Sequence, residues 1–120
     1  YHIAGGEITR VTRDHSLVQS MVERGDITAE EARRHPNRNL ITRALGPDID
    51  AECDGYICPL AAGEFLLLCS DGLVNTVTDQ ERLSVVLHGG GVERPLERLL
   101  QIAREHGAPD NVTAVLLQVV

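Results

Sequence analysis

The chain has 120 residues, of which 42% are hydrophobic and 24% charged, a balance that fits a folded globular core and argues against disorder. Eleven basic and 18 acidic residues give a net charge of −7, which argues against a generic nucleic-acid-binding or polybasic membrane role. No apolar run approaches the roughly 20 residues of a membrane span, and the first residues do not show the pattern of a signal peptide.

The first third of the chain contains signals for a hairpin and two short helices. Gly5-Gly6 lies between two short apolar stretches and is typical of a two-residue hairpin turn. Ser16 with Gln19, and Thr28 with Glu31, have the spacing of helix capping boxes. These signals predict helices that begin just after Ser16 and Thr28.

The second half alternates strand and helix signals. Residues 56–58 and 65–69 are predicted strands, and the second is apolar on both faces, as expected for the middle of a sheet covered on both sides. Helices are predicted from Thr78 and from Pro95. Residues 112–120, rich in β-branched and aliphatic side chains, predict a second central strand. The pattern indicates a mixed α+β fold.

The polar segment between these halves, residues 37–54, is predicted to be irregular. Its only apolar anchors are the pairs at residues 40–41 and 44–45. The D-x-E-x-D run at residues 50–54 resembles the start of a calcium loop, but the twelfth position is Ala61, where a bidentate Glu is needed. We interpret this run as a solvated acidic edge.

Three cysteines, Cys53, Cys58 and Cys69, cannot all pair within one chain. A zinc site would need a second pair of Cys or His ligands downstream of Cys53 and Cys58, and none follows. We therefore expect reduced thiols.

Two aspartates at strand ends carry the main chemical signal. Asp71 follows the strand predicted at residues 65–69, and Asp110 precedes the strand predicted at residues 112–120. If these strands are antiparallel neighbours, both carboxylates emerge at one end of the sheet, whereas parallel strands would place them at opposite ends. Converging carboxylates beside a glycine suit a hard divalent cation. Taken alone, each aspartate is more typical of an ordinary turn, and only the pair at strand ends favours the metal site.

Several sequence motifs occur in a fixed order along the chain. They are TRDHSLV at residues 12–18, GDITAEEA at 25–32, HPNRN at 35–39, TRALG at 42–46, GEFLLLCSDGL at 63–73 and PDNVT at 109–113. In this combination the sequence resembles the metal-dependent PP2C-type (PPM) protein serine/threonine phosphatases, especially their bacterial branch.

The resemblance implies part of a four-layer αββα sandwich, in which two antiparallel sheets are flanked by helices. It also implies a centre of two or more Mn²⁺ or Mg²⁺ ions at one end, where a metal-activated water attacks phosphorus. The metal ligands of the family's SDG and DN motifs correspond to Asp71 and Asp110. Residues 16–45 correspond to the family's flap, which borders the active site.

The family's earlier motifs, ED, DGMGGH and GDSR, do not occur in this sequence. We therefore expect the chain to be the C-terminal portion of a PPM domain whose N-terminal half lies outside it. Alone, the chain is expected to be catalytically inactive, with apolar sheet surface that favours self-association.

Two functions from different classes are compatible with the resemblance. The first is a cytoplasmic phosphatase that acts on phosphoserine and phosphothreonine proteins within a Ser/Thr kinase system, without nucleic acid or a membrane segment. The second is a non-catalytic PPM-like module for regulation or protein interaction.

Overall fold

The chain divides into two units, one formed by residues 1–11 with 58–120 and the other by residues 12–57. The computed structural model describes residues 1–47, 49–108 and 110–120. Among these residues, the first unit contains four strands and three helices: β1 His2–Ala4, β2 Glu7–Thr9, β3 Phe65–Cys69, α3 Asp71–Val74, α4 Asp79–His88, α5 Glu93–Glu105 and β4 Ala114–Gln118. The second contains α1 Leu17–Glu23 and α2 Ala29–Arg34.

The four strands form one antiparallel sheet in the order β2-β1-β3-β4. The hairpin between β1 and β2 turns at Gly5 and Gly6, whose φ angles of +57° and +79° are left-handed conformations that glycine adopts without strain. In the β3–β4 ladder Cys69 lies opposite Ala114, so the end of β3 and the start of β4 meet at the same edge of the sheet.

One face of the β3–β4 pair is buried and the other is half exposed. Leu67 and Leu116 point into the core. On the opposite face, the side chains of Leu68, Val115 and Leu117 are 50%, 51% and 49% exposed. Strand β3 lies between β1 and β4, which confirms its predicted place in the middle of a sheet. Within the described residues β4 lies at the edge of the sheet, and the half-exposed face agrees with the apolar sheet surface expected of this chain alone.

Helices α3 and α5 lie against β3 and β4 respectively and supply most of the core beneath the buried face. The core joins side chains from the sheet, from α3, α4 and α5, and from the turn between α3 and α4: Ile3, Phe65, Leu67, Leu73, Val77, Val86, Leu99, Ile102, Ala103 and Leu116. Helix α5 begins at Glu93, two residues before the predicted start at Pro95. Proline is tolerated there because the first-turn N–H groups have no intrahelical acceptor.

Helix α4 also contributes a fully buried arginine. The guanidinium of Arg82 lies 4.3 Å from the centre of the Tyr1 ring and pairs with Asp79. Nε and one Nη of Arg82 have no hydrogen-bond partner among the described residues. The aromatic face therefore provides part of the electrostatic compensation that the buried cation requires.

The second unit confirms both predicted helix starts, because the side chains of Ser16 and Thr28 accept hydrogen bonds from the first turns of α1 and α2. The apolar anchors expected downstream are wrong: Leu40, Ile41 and Leu45 are 53%, 68% and 91% exposed. The strand expected at residues 56–58 is also wrong, since no strand among the described residues pairs with this segment.

Two further expectations concern the chain as a whole. Cys53, Cys58 and Cys69 are thiols and form no disulfide, as predicted. Among the described residues, no helix combines the length and the apolar character that crossing a membrane requires.

Candidate metal centre

Asp71 is placed by the junction between β3 and α3. The strand ends at Cys69, Ser70 is the N-cap residue, and the exposed Asp71 is the first residue of the helix. A carboxylate is favourable at this position because the first backbone N–H groups of a helix carry partial positive charge. The sequence prediction of a strand followed directly by Asp71 is confirmed, but helix α3 was not anticipated.

Ser70 joins this turn to the segment that leads into β4. Its backbone N–H donates to the carbonyl oxygen of Thr113 at 2.9 Å, and its Oγ accepts from the backbone N–H of Thr113 at 3.0 Å. The same hydroxyl donates to the carbonyl oxygen of Asn111 at 3.4 Å. These three hydrogen bonds hold the two aspartate-bearing turns together.

Gly72 brings the two turns into direct backbone contact. A Cβ atom at this position would lie 2.2 Å from the carbonyl oxygen of Asn111 and 3.1 Å from Cγ2 of Val112. Only glycine fits at such a separation, because the atom in the way belongs to the backbone and cannot rotate aside. The glycine of the Asp71-Gly72 pair therefore has a packing role, in addition to being a residue that is common in turns.

Asp110 occupies the second turn, and its exposed carboxylate accepts a hydrogen bond from the backbone N–H of Asn111 at 2.7 Å. Because β3 and β4 are antiparallel, Asp71 and Asp110 emerge at the same end of the sheet. Of the two alternatives open from the sequence, the structure shows the one in which the two carboxylates can act together.

The donor chemistry of this pair fits Mg²⁺ or Mn²⁺, which prefer carboxylate oxygens. The described residues contain no group of three or more His, Cys, Asp or Glu side chains placed to hold a metal ion. Two carboxylates fill only part of the roughly six-oxygen shell of such a cation, and water or other groups must complete it.

A second polar cluster lies within residues 12–57 and centres on Asp54. One carboxylate oxygen of Asp54 lies 2.7 Å from Nε2 of His15, and the other accepts from the Arg43 guanidinium at 2.9 Å. The Tyr56 hydroxyl donates to Asp54 at 3.4 Å and accepts from the Arg13 backbone N–H at 3.1 Å. The hydrogen bonds from His15 and Arg43 lower the pKa of Asp54 from 3.8 to about 2.

No sequence motif indicates this cluster. Asp54 is exposed, as the interpretation of a solvated acidic edge requires, but its carboxylate is also paired with His15 and Arg43. His15 and Asp54 are 39 positions apart, and neither belongs to a periodic pattern. Complementary charge on separate irregular segments was the only available hint.

The chain is similar in sequence to bacterial proteins named serine/threonine phosphatases. No family model matches the chain. The chain is 41% identical over 121 aligned residues to the serine/threonine protein phosphatase PstP of Mycobacterium tuberculosis, covering 100% of the chain and 23% of PstP. It is 32% identical to the serine/threonine phosphatase Stp of Listeria welshimeri, covering 98% of the chain and 47% of Stp.

Solved structures give the same assignment. The S. agalactiae serine/threonine phosphatase superposes with a TM-score of 0.90 at 33% identity, over 99% of this chain and 49% of that one. The chain is a partial homologue of the PPM serine/threonine phosphatases. The expected PPM fold is thereby confirmed, and the chain contributes one antiparallel sheet with its helices.

The PPM phosphatases matched here also include a metal-bound structure. The catalytic domain of PstP, solved in complex with two manganese ions, matches with a TM-score of 0.82 and 38% identity, over 100% of this chain and 49% of that domain. The chain thus spans about half the length of the solved PPM phosphatases that it matches, and manganese is the metal observed in one of them.

Proposed function

We propose that this chain forms part of a metal-dependent protein serine/threonine phosphatase in which Asp71 and Asp110 bind divalent cations. The observation that supports this most directly is the contact between the two aspartate-bearing turns through Ser70 and Gly72. Manganese in the PstP structure supports Mn²⁺, and donor chemistry supports Mg²⁺ equally. Such cations, when bound in a pair, supply an activated water and offset the charge of phosphate oxygens.

The proposed substrates are phosphoserine and phosphothreonine proteins, and the proposed context is a Ser/Thr kinase system in the cytoplasm. The names of the relatives support the substrate class, and reduced thiols are typical of the cytoplasm. Two predictions stay open: that the chain is the C-terminal portion of the domain, and that residues 16–45 are its flap. Residues 16–45 fall within the separate unit of residues 12–57, which supports the second.

A non-catalytic PPM-like module is the second candidate function. The observation that favours it is that the described residues offer two carboxylates at the sheet end and no third metal-binding side chain beside them. If the remaining ligands of a PPM centre are lacking, the sheet and helices would serve as a binding surface only.

A chimera separates these two functions. This chain replaces the matching segment of the PstP catalytic domain, and hydrolysis of an aryl phosphate and a phosphothreonine peptide is measured against Mn²⁺ concentration. We expect Mn²⁺-dependent turnover that Asp71→Asn or Asp110→Asn lowers at least about 100-fold, since even outer-shell partners of metal ligands cost roughly 10–100-fold. The amide keeps the shape of the carboxylate and loses its charge.

Glu97→Gln, the same change at an exposed position on α5, is the matched control and should leave turnover unchanged. A folded but inactive chimera would favour the non-catalytic module. Full activity of Asp71→Asn or Asp110→Asn at ordinary Mn²⁺ would show that these carboxylates are not metal ligands.

A further inference from the structure

We propose that His106 is a positioning residue that ties the Asp110 turn to the Asp71 turn and so sets their joint affinity for a cation. The inference rests on the proposed function, because it concerns the same pair of carboxylates. His106 was not singled out by any sequence motif, and its role follows from three contacts around the C-terminus of α5.

The first contact reaches from His106 to the turn between α3 and α4. His106 follows the last residue of α5, and its Nδ1 lies 2.5 Å from the carbonyl oxygen of Thr76. A carbonyl oxygen only accepts, so Nδ1 carries the proton and donates it to this bond. On the other side of the ring, Nε2 lies 3.9 Å from the carboxylate of Glu81, the residue that completes the α4 capping box.

The second contact continues from Thr76 to the Asp71 turn. The Thr76 hydroxyl donates to the carbonyl oxygen of Gly72 at 2.7 Å, and Gly72 directly follows Asp71. His106 is therefore connected to the residue beside the first carboxylate through one threonine. Both bonds are made within the unit that contains the sheet.

The third contact fixes the chain just after His106. The backbone N–H of Gly107 donates to Arg104 and that of Ala108 donates to Ala103, both at 3.0 Å, with Gly107 at a φ of +88°. This closes the end of α5 two residues before Asp110. The segment that carries Asp110 thus leaves α5 from a fixed point, and the side chain of His106 attaches that point to the Asp71 side.

These contacts complement the hydrogen bonds of Ser70. Ser70 joins the two turns at the sheet, and His106 attaches the C-terminal end of α5, four positions before Asp110 in the chain, to Thr76. A turn held at one point can still rotate, whereas a turn held at two points keeps its carboxylate in one orientation. A pre-oriented ligand pair binds a cation more tightly because less conformational entropy is lost on binding.

The test measures Mn²⁺ binding to the 120-residue chain by NMR and requires no turnover. Mn²⁺ broadens the amide signals of nearby residues, and because Gly72 and Asn111 lie in contact, their signals report together on a cation bound between the two turns. In the unsubstituted chain we expect both signals to broaden at the same Mn²⁺ concentration. In His106→Ala both signals should require at least about fivefold more Mn²⁺, somewhat less than the roughly 10–100-fold effect of removing a direct partner of a metal ligand.

Two further variants separate positioning from general stability. His106→Asn places an amide donor close to the position of Nδ1 and should restore most of the affinity. His88→Ala is the matched control, because the Nδ1 of His88 makes a similar 2.8 Å contact with the carbonyl oxygen of Ser84, within α4. It should leave both midpoints unchanged.

The outcomes distinguish this inference from the proposed function. If Mn²⁺ broadens neither signal in the unsubstituted chain, the metal site itself is wrong, and the inference falls with it. If both signals broaden and His106→Ala matches the unsubstituted chain, the metal site stands and His106 has no positioning role. Equal weakening by His106→Ala and His88→Ala would also overturn the inference, because it would indicate a general loss of structure.

Discussion

Gly72 shows at the scale of one residue how backbone packing determines a functional turn. Alanine is the better helix former, by about 1 kcal/mol, and Gly72 lies within α3. The cost of forcing an extra carbon into a well-packed site is about 1–3 kcal/mol, and here the obstruction is a backbone oxygen at 2.2 Å. For alanine at this position, the steric cost of the added carbon is therefore larger than the gain in helix propensity.

Gly72→Ala is accordingly expected to lower the free energy of unfolding by about 1–2 kcal/mol and to weaken Mn²⁺ binding. Urea denaturation monitored by circular dichroism measures the first effect, and calorimetry with Mn²⁺ measures the second. Gly55→Ala is the control, since no atom lies within 4 Å of its added Cβ, and its effect should stay within about 0.5 kcal/mol. Unchanged stability and Mn²⁺ binding in Gly72→Ala would contradict the proposed contact.

Residue by residue, the sequence located the candidate metal ligands but not their supports. Asp71 and Asp110 stand out because they lie just beyond the ends of apolar strands, which is a local pattern. Asp54 and His106 act through partners 39 and 30 positions away, and such pairings carry no periodicity. They depend on how the chain folds back on itself.

At the scale of elements, polar contacts hold together the unit of residues 12–57. The apolar residues expected to anchor this unit are exposed. The Asp54 carboxylate forms hydrogen bonds with His15, Arg43 and Tyr56, which lie in three stretches of the chain. Because its pKa is about 2 when folded and 3.8 ordinarily, its contribution to stability is fully present above about pH 4. The contribution is lost as the pH falls toward 2.

Asp54→Asn should therefore reduce protection of the Arg13 amide against hydrogen exchange at about pH 6, and the difference from the unsubstituted chain should narrow at about pH 2. Comparison at each pH removes the intrinsic pH dependence of exchange. Asp26→Asn changes another exposed aspartate of the same unit, one that pairs with Arg24, and should have little effect. A difference of equal size at both pH values would contradict this account.

Elements with local signals were predicted best. The caps at Ser16, Thr28 and Thr78 are all present, because a cap depends on residues three positions apart. The strand expected at residues 56–58 is absent, because a strand requires a neighbour that local sequence does not reveal. The apolar pattern of β3 and β4 indicates which side chains should be buried, but it does not indicate which segment covers them.

At the scale of the whole molecule, the half-exposed face of β3 and β4 is the surface most prone to association. Leu117 lies opposite Leu66, and Val115 lies opposite Leu68, so the exposed side chains form a continuous apolar patch beside an edge strand. Such a surface favours association between copies of the chain.

Leu117→Lys should weaken self-association of the 120-residue chain at least about tenfold, because burying an unpaired charge costs more than 1.4 kcal/mol. Sedimentation velocity over a range of concentrations measures this, and the thermal midpoint checks the fold. Leu87→Lys places the same charge at a residue of similar exposure, 42%, on α4 and should leave association unchanged. Equal effects of the two variants would show that net charge, and not this face, controls association.

The Ser70–Thr113 hydrogen bonds have a consequence for the register of the sheet. Strand β4 carries apolar side chains on both faces around Leu116. Its sequence pattern therefore does little to favour the observed pairing over one shifted by a residue. A shift would displace Asp110 by about 3.4 Å and turn β4 over. The bonds at Ser70 and the tight fit at Gly72 are compatible with one pairing only. Changes at either residue should therefore yield molecules that keep their helices and sheet but carry a misaligned strand, so that the carboxylate pair is lost without unfolding.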